Sequence, residues 1–339
     1  MSSNDIGIDL GTVSVLIYKP GEGITLREPS VVAINSRTGD VLSVGEEAYK
    51  MVGRTPEKIR AVYPLTGGTI SDFKVTEEMI RYFIKRSCAG SPIKPRVCIC
   101  VPSGITDVES RAVMDMAVNV GARKVYLIEE PVAAALGADI DISQPNGHLI
   151  LDIGGGTTDI AVLSLNGIVL KQSVKVAGNN FNEAIVKYIR NTHNILIGEK
   201  MADTMKCEIG SVYFRDDEDI SFTIKGRNLM TGLPQKTEIT RSELCPVLLD
   251  VCQPIIEALQ KVLEETPPEL AADIFVNGLV MTGGGSLLHG LPQLVKHYTK
   301  LNAYVAENPV ECVAIGTGKA FECMDDLFDG MVEIAVHKY

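Results

Sequence analysis

At 339 residues, with 45% hydrophobic and 22% charged side chains, the chain is too long for one small core and too apolar for extensive disorder, so two folded units or a deeply cleft one are expected. A net charge of −11 without any Lys/Arg-rich run argues against a nucleic-acid partner held through its phosphates. No apolar run approaches the roughly 20 residues that span a bilayer, Met1–Asp5 is too short and polar for a signal peptide, and none of the eight cysteines forms a CxxC pair, so reduced thiols and a cytoplasmic compartment are expected.

Along the chain, Ile6, Ile8 and Leu10 alternate, Gly11 and Thr12 turn, and Val13, Val15 and Ile17 alternate again, which predicts a hairpin over Asp5–Tyr18. A helix is expected where Val75, Met79, Ile80, Phe83 and Ile84 share one face. Cys98 and Cys100, two apart in an apolar run, fall on one strand face and read as core. Thr106 with Glu109, and Thr240 with Glu243, fit the capping box. Pro131 suits the first turn of a short helix through Ala133–Ala135 that Gly137 can end.

From His148 the hairpin pattern returns: Leu149–Ile153 lead into Gly154, Gly155, Gly156, Thr157 and Thr158, and a strand resumes at Asp159. Asp9 and Asp152 close the first strand of each copy and lie about one domain length apart, as internal duplication would leave them. Ser211–Glu238 reads as a small, mainly β insertion, and Pro267-Pro268 should stop the long helix that begins near Thr240. The strand Leu279–Met281 runs into Thr282-Gly283-Gly284-Gly285-Ser286, expected to open a helix at Leu287 and Leu288. Gly316 and Gly318 lie on a further helix, where close helix packing explains them better than ligand contact.

Glycine turns let backbone amides approach phosphate oxygens, and consecutive inward amides form an anion nest. No Walker motif and no GxGxxG occurs, so phosphate must be gripped by the turns themselves. Asp9 and Asp152 beside those turns suit Mg²⁺, which keeps much of its water and borrows oxygens from phosphate. One glycine-rich hairpin would read as structural; two copies with matching acids point to a ligand held between them.

The ordered series Asp9-Leu10-Gly11-Thr12, Glu129-Glu130-Pro131-Val132-Ala133-Ala134-Ala135, Asp152–Asp159 and Thr282–Ser286 resembles the nucleotide signature of actin, Hsp70 chaperones and sugar kinases. Within that superfamily Ile128–Ala135, Asn166–Val169 and Pro267–Ala271 resemble the MreB family of bacterial actins, from about Asp5 to Ala320. The resemblance implies an actin-like α/β ATPase fold: two similar α/β domains around a nucleotide cleft, each with a small inserted subdomain. The first would span 1–145, with an insertion at about 33–65 and 311–339 returning to it; the second would span 146–310, with an insertion at about 182–240.

It also implies ATP and Mg²⁺ as cofactors. Gly11, Thr12, Val13, Ser14 and the loop Gly154, Gly155, Gly156, Thr157 and Thr158 would hold phosphates; Asp9 and Asp152 would order the metal shell. Glu130, helped by Thr157, would orient or deprotonate the attacking water. Asp203 and Lys206 would meet ribose, and Gly284, Gly285, Ser286 and Leu287 the adenine. The chain departs from the family at Thr12-Val13-Ser14, at Asp203-Thr204 and at Ala177-Gly178-Asn179-Asn180-Phe181. The function implied is a self-assembling filament at the inner membrane face that serves cell-wall elongation proteins and rod shape, with a non-filamentous ATPase or small-metabolite kinase as the alternative. Membrane contact would fall to Ala89–Pro95, through Ile93 flanked by Lys94 and Arg96.

Overall fold

The structure, a computed structural model, describes residues 4–89, 93–213 and 219–323, and the backbone of 331–334. The chain opens with β1 (Asp5–Leu10), β2 (Ser14–Lys19) and β3 (Gly23–Pro29). A satellite follows: β4 (Val32–Asn35), β5 (Val41–Val44), α1 (Glu46–Met51) and β6 (Ile59–Val62), with strand order β5-β4-β6. After the short pair β7 (Leu65–Thr66) and β8 (Thr69–Ile70) come α2 (Phe73–Ser87), β9 (Arg96–Val101), α3 (Asp107–Asn119), β10 (Lys124–Glu129) and α4 (Glu130–Gly137).

The second half repeats this plan with β11 (His148–Ile153), β12 (Thr158–Ser164), β13 (Gly167–Val174) and α5 (Gly178–His193). Its satellite comprises β14 (Ile195–Leu196), α6 (Glu199–Ile209), β15 (Ser221–Asn228) and β16 (Pro234–Thr240). Then follow α7 (Arg241–Glu265), α8 (Pro268–Asn277), β17 (Leu279–Thr282), a 3-10 turn at Gly284–Leu287, α9 (Leu291–Thr299) and β18 (Ala303–Val305). The chain returns through α10 (Cys312–Cys323) and β19 (Met331–Ile334), which pairs with β10.

The two main sheets run β19-β10-β9-β1-β2-β3 and β18-β17-β11-β12-β13. In each, the central strand has its hairpin partner antiparallel on one side and a crossover strand parallel on the other. The fold class expected from the sequence is therefore the one found. Alternation decides which helices cover which face. Val97, Ile99 and Val101 pack with Met79, Phe83 and Met116, whereas Cys98 and Cys100 join Ile150, Ala161 and Leu163 of the other sheet around α4 and α10.

α4 and α10 thus fill the space between the sheets, and only small residues let them. A Cβ on Gly316 would lie 1.7 Å from the Ala133 carbonyl oxygen, and one on Gly137 would lie 1.8 Å from that of Cys312. Both obstacles are backbone, which cannot give way.

Three local expectations are corrected. Thr106 and Glu109 complete their capping box, but at α7 only half forms: Thr240 accepts from the Glu243 amide, while the Glu243 carboxylate is taken by Tyr188 and His193. The glycine cluster after β17 opens a single 3-10 turn rather than a helix, and α9 starts at Leu291, behind left-handed Gly290. Arg96 does not stand free for headgroups, because its guanidinium grips the Asp5 carboxylate, with Nε 2.7 Å from Oδ1. Ile93 is 45% exposed and Lys94 is exposed, while 90–92 of that loop, like 214–218 of the second satellite, lie outside the described residues.

Gly316→Ala should lower stability by about 2 kcal/mol or more, because overpacking outweighs the helix-propensity gain of about 1 kcal/mol. Thermal unfolding checks this, and an unchanged melting temperature would contradict the close approach of α4 and α10.

Candidate functional site

Both hairpin turns close in the same way. The Gly11 amide donates to the Ser14 carbonyl at 3.1 Å, and the Gly154 amide to that of Thr157 at 2.9 Å. Those two amides are thereby committed, and neither the pair at 12–13 nor the pair at 155–156 takes part in the closing bonds. The turns meet face to face: a Cβ on Gly155 would lie 2.2 Å from Val13 Cγ2, and one on Gly156 would lie 2.4 Å from Thr12 Oγ1. Side chains at 155 and 156 would hold the two walls apart, so these glycines set the width of the cleft floor.

Above that floor is a cavity of about 680 Å³, within the range of nucleotide-sized pockets. It is lined by Asp9, Gly11–Ser14, Glu130, Asp152, Gly154–Thr157, Asp203, Lys206, Gly284, Gly285 and Leu287. Two expected residues do not line it. The Thr158 hydroxyl donates to the Val176 carbonyl, in the connection between β13 and α5, at 2.7 Å, and that of Ser286 to the Gly283 carbonyl of its own loop at 2.7 Å; both residues are buried.

Four carboxyl groups gather at the floor, Asp9, Glu130 and Asp152 lining the cavity and Asp159 buried out of it. Burial raises Asp9 to about 6 and Asp152 to about 7, with Asp159 and Asp9 adding to the latter. Burial, then the charges of Asp159, Asp152 and Asp9, carry Glu130 well above the carboxylate range. Asp159, fully buried, is raised by burial as well. Relief comes from hydrogen bonds: Thr282 Oγ1 to Asp152 Oδ1 at 2.6 Å, Cys100 Sγ to Asp9 Oδ1 at 3.3 Å, and the Ser103 amide to Asp159 Oδ1 at 2.8 Å.

Carboxyl groups held at this density favour a cation among them. Among the described residues no group of three or more His, Cys, Asp or Glu is arranged to cage one. A cation here would complete its shell from water and a bound phosphate, as Mg²⁺ does. The donor set fits that ion.

The amino terminus of α5 is docked on the second loop, with Gly178 N donating to Gly154 O at 3.1 Å and Asn179 N to Gly155 O at 2.8 Å. This directs the positive end of a 16-residue helix at the cleft. The Asn180 side chain accepts from the Ala177 amide at 2.9 Å and so secures that helix start. Further along, Asp203 Oδ1 accepts from Lys206 Nζ at 2.9 Å and from Asn182 Nδ2 at 3.2 Å. Beside Gly284 the wall is open, since a Cβ there would meet nothing nearer than Val310 at 4.0 Å, room that a flat ring can use.

Sequence reasoning missed several of these parts. Asp159 was given no role although its motif was read. The α5 terminus, Asn182 and the mouth of the cleft went unnoticed. At that mouth Lys200 donates to the Tyr49 carbonyl and sits 3.8 Å over the Tyr49 ring, joining the two satellites. The signal for α5 lay in the glycine before a strongly periodic helix; the Lys200–Tyr49 contact left no local trace.

Known proteins resemble the chain along almost its whole length. The profile of the MreB/Mbl protein family matches residues 3–328. The cell shape-determining protein Mbl of Bacillus subtilis (strain 168) is 48% identical over 328 residues, covering 96% of this chain and 98% of that protein. Cell shape-determining protein MreB of Escherichia coli (strain K12) is 47% identical over 338 residues, 97% of each. MreB5 of Spiroplasma citri bound to ADP superposes with a TM-score of 0.91 at 40% identity, covering 96% of this chain and 98% of that one. The same protein bound to AMPPNP gives 0.89 at 38% identity, with the same coverage.

The raised carboxyls give a stability test. An acid whose folded pKa exceeds its unfolded one binds more protons when folded, so stability falls as pH rises from the unfolded value near 4 through the folded one near 7. Asp152→Asn should therefore make the metal- and nucleotide-free chain more stable at pH 8, by about 1–3 kcal/mol, with the gain shrinking towards pH 4. Thermal unfolding in EDTA across this range measures it, and a variant less stable than wild type at pH 8 would contradict the electrostatic account.

Proposed function

The chain belongs to the MreB/Mbl protein family, and on that premise we propose that it is an ATP-binding, ATP-hydrolysing actin-like cytoskeletal protein. It assembles head to tail into filaments at the cytoplasmic membrane surface and organises cell-wall elongation to set rod shape. The observation that carries the nucleotide part is the meeting of two acid-closed glycine turns, from two sheets of the same topology, on the floor of one cavity. The ADP- and AMPPNP-bound forms of the Spiroplasma citri relative support the same ligand class.

In this reading the amides of the turns at 12–13 and 155–156 receive the phosphates, and the positive end of α5 behind the second turn favours their charge. When bound, Mg²⁺ supplies positive charge that neutralises them. Asp9 and Asp152 hold the water shell of that ion from opposite walls. Glu130, which would ionise once a bound cation offsets the neighbouring acids, orients or deprotonates the attacking water, helped by Thr157; positioning dominates phosphoryl transfer, so a modest base suffices. Lys206, Asp203 and Asn182 take the ribose, and the open wall at Gly284 with Leu287 takes the adenine. The chain divides into units 1–145 and 146–310, with 311–339 returning to the first, a stretch of which 324–330 and 335–339 lie outside the described residues.

Non-closing head-to-tail contacts give filaments. Among the described residues no helix is long and apolar enough to cross a membrane, so membrane contact is assigned to surface groups, Ile93 and Lys94 foremost.

Glu130→Ala should keep ATP binding within a few-fold and lose hydrolysis by about 100-fold or more, followed by calorimetry and phosphate release. Unchanged turnover would remove Glu130 from the mechanism. Sedimentation and electron microscopy with ATP, Mg²⁺ and anionic vesicles should show polymer; monomers under all conditions would defeat the filament reading.

A further inference from the structure

We propose that Cys100 is a positioning residue for Asp9, performing in the first sheet the task that Thr282 performs for Asp152 in the second. The inference rests on the magnesium-nucleotide reading above and extends it to a side chain outside that reading's ligand set.

The argument starts from register. β1 runs parallel to β9 with Gly7 opposite Cys98 and Ile8 opposite Ile99, a register that brings Asp9 beside Cys100. β11 runs parallel to β17 with Asp152 opposite Thr282. In both sheets, then, the acid one residue before the end of the central strand has as its neighbour on the crossover strand a short side chain carrying one donor. Both donors are used in the same way: Cys100 Sγ donates to Asp9 Oδ1 at 3.3 Å, and Thr282 Oγ1 to Asp152 Oδ1 at 2.6 Å. Both donor residues are buried, at 3% and 0% exposure.

A carboxylate with one oxygen tied to the neighbouring strand loses rotation about its side chain, so it meets a metal shell in one orientation. Groups that orient metal-shell ligands in this way change metal affinity by about 10–100-fold when removed. A thiol is the weaker and longer donor, so Asp9 is held less firmly than Asp152, and the two walls are chemically alike but unequal. A hydroxyl at position 100 preserves the bond, whereas a methyl abolishes it.

The test measures AMPPNP binding by calorimetry, with Mg²⁺ and in EDTA, for the full-length chain and its variants. In wild type, Mg²⁺ should strengthen binding. In Cys100→Ala that strengthening should fall about 10-fold, while affinity in EDTA stays within about two-fold, and Cys100→Ser should restore it. Cys100→Val, which fills the space but has no donor, should behave as Cys100→Ala and serves if the cavity left by alanine prevents folding. Equal Mg²⁺ dependence in Cys100→Ala, Cys100→Val and wild type would overturn the proposal. So would a Cys100→Ser as impaired as Cys100→Ala, since packing would then be the cause. A wild-type chain that binds no nucleotide would instead sink the functional reading on which the proposal rests.

Discussion

The structure is organised around a cluster of buried carboxyl groups at the floor of a cleft, whose burial raises their affinity for protons. Asp9 and Asp152 stand one residue before the ends of the central strands of two separate sheets, and with Glu130 and Asp159 they form a buried group in which burial, joined at Glu130 and Asp152 by the neighbouring charges, raises proton affinity. Carboxyl groups buried this close together oppose folding unless protons or partners offset their charge, so a chain that keeps four of them together gives up stability at that point. In the proposed reading a divalent cation with its phosphate ligand would relieve that strain from the open side, completing an arrangement that the empty protein holds at a cost.

Keeping the charges close requires two walls that cannot drift apart. The face-to-face turns at Val13 and Gly155 set the gap directly. Behind them, α4 and α10 sit between the sheets, with Gly137 and Gly316 in backbone contact with the opposite helix. Glu130 is the first residue of α4, so the helix that joins the walls also delivers the carboxylate assigned to water. The Ser103–Asp159 bond adds a further link across the junction. At the mouth the Lys200–Tyr49 contact links the satellites, which leaves the two ends of the cleft bridged in different ways: rigid backbone packing at the floor, a single flexible side chain at the rim.

Much of this was legible in the sequence because its causes are local. An apolar run that stops at an aspartate and breaks into glycines has few structural readings, and its recurrence gave the duplicated sheets. Alternation placed Cys98 and Cys100 on one face, and Gly316 and Gly318 pointed to close helix packing. The errors arose where a distant partner decided the outcome. Glu243 has the spacing of a capping box, yet Tyr188 and His193 claim its carboxylate. Arg96 looked like a surface base, yet strand pairing sets it beside Asp5. The glycine cluster after β17 was read one element too early, because Gly290 and the proline after Leu291, not Leu287, mark the true helix start. Thr158 and Ser286 share motifs with cavity-lining neighbours, but their hydroxyls satisfy buried carbonyls, that of Val176 on the next connection and that of Gly283 in the same loop.

The central claim is that one cation is shared by acids from the two sheets, and a double-mutant cycle tests it most directly. Affinity for AMPPNP with Mg²⁺ would be measured for wild type, Asp9→Asn, Asp152→Asn and the double variant. Residues acting on one ion should be non-additive, with a coupling of about 0.5–3 kcal/mol, the second substitution costing less than the first. Strictly additive losses, or an affinity indifferent to both substitutions, would contradict the shared site.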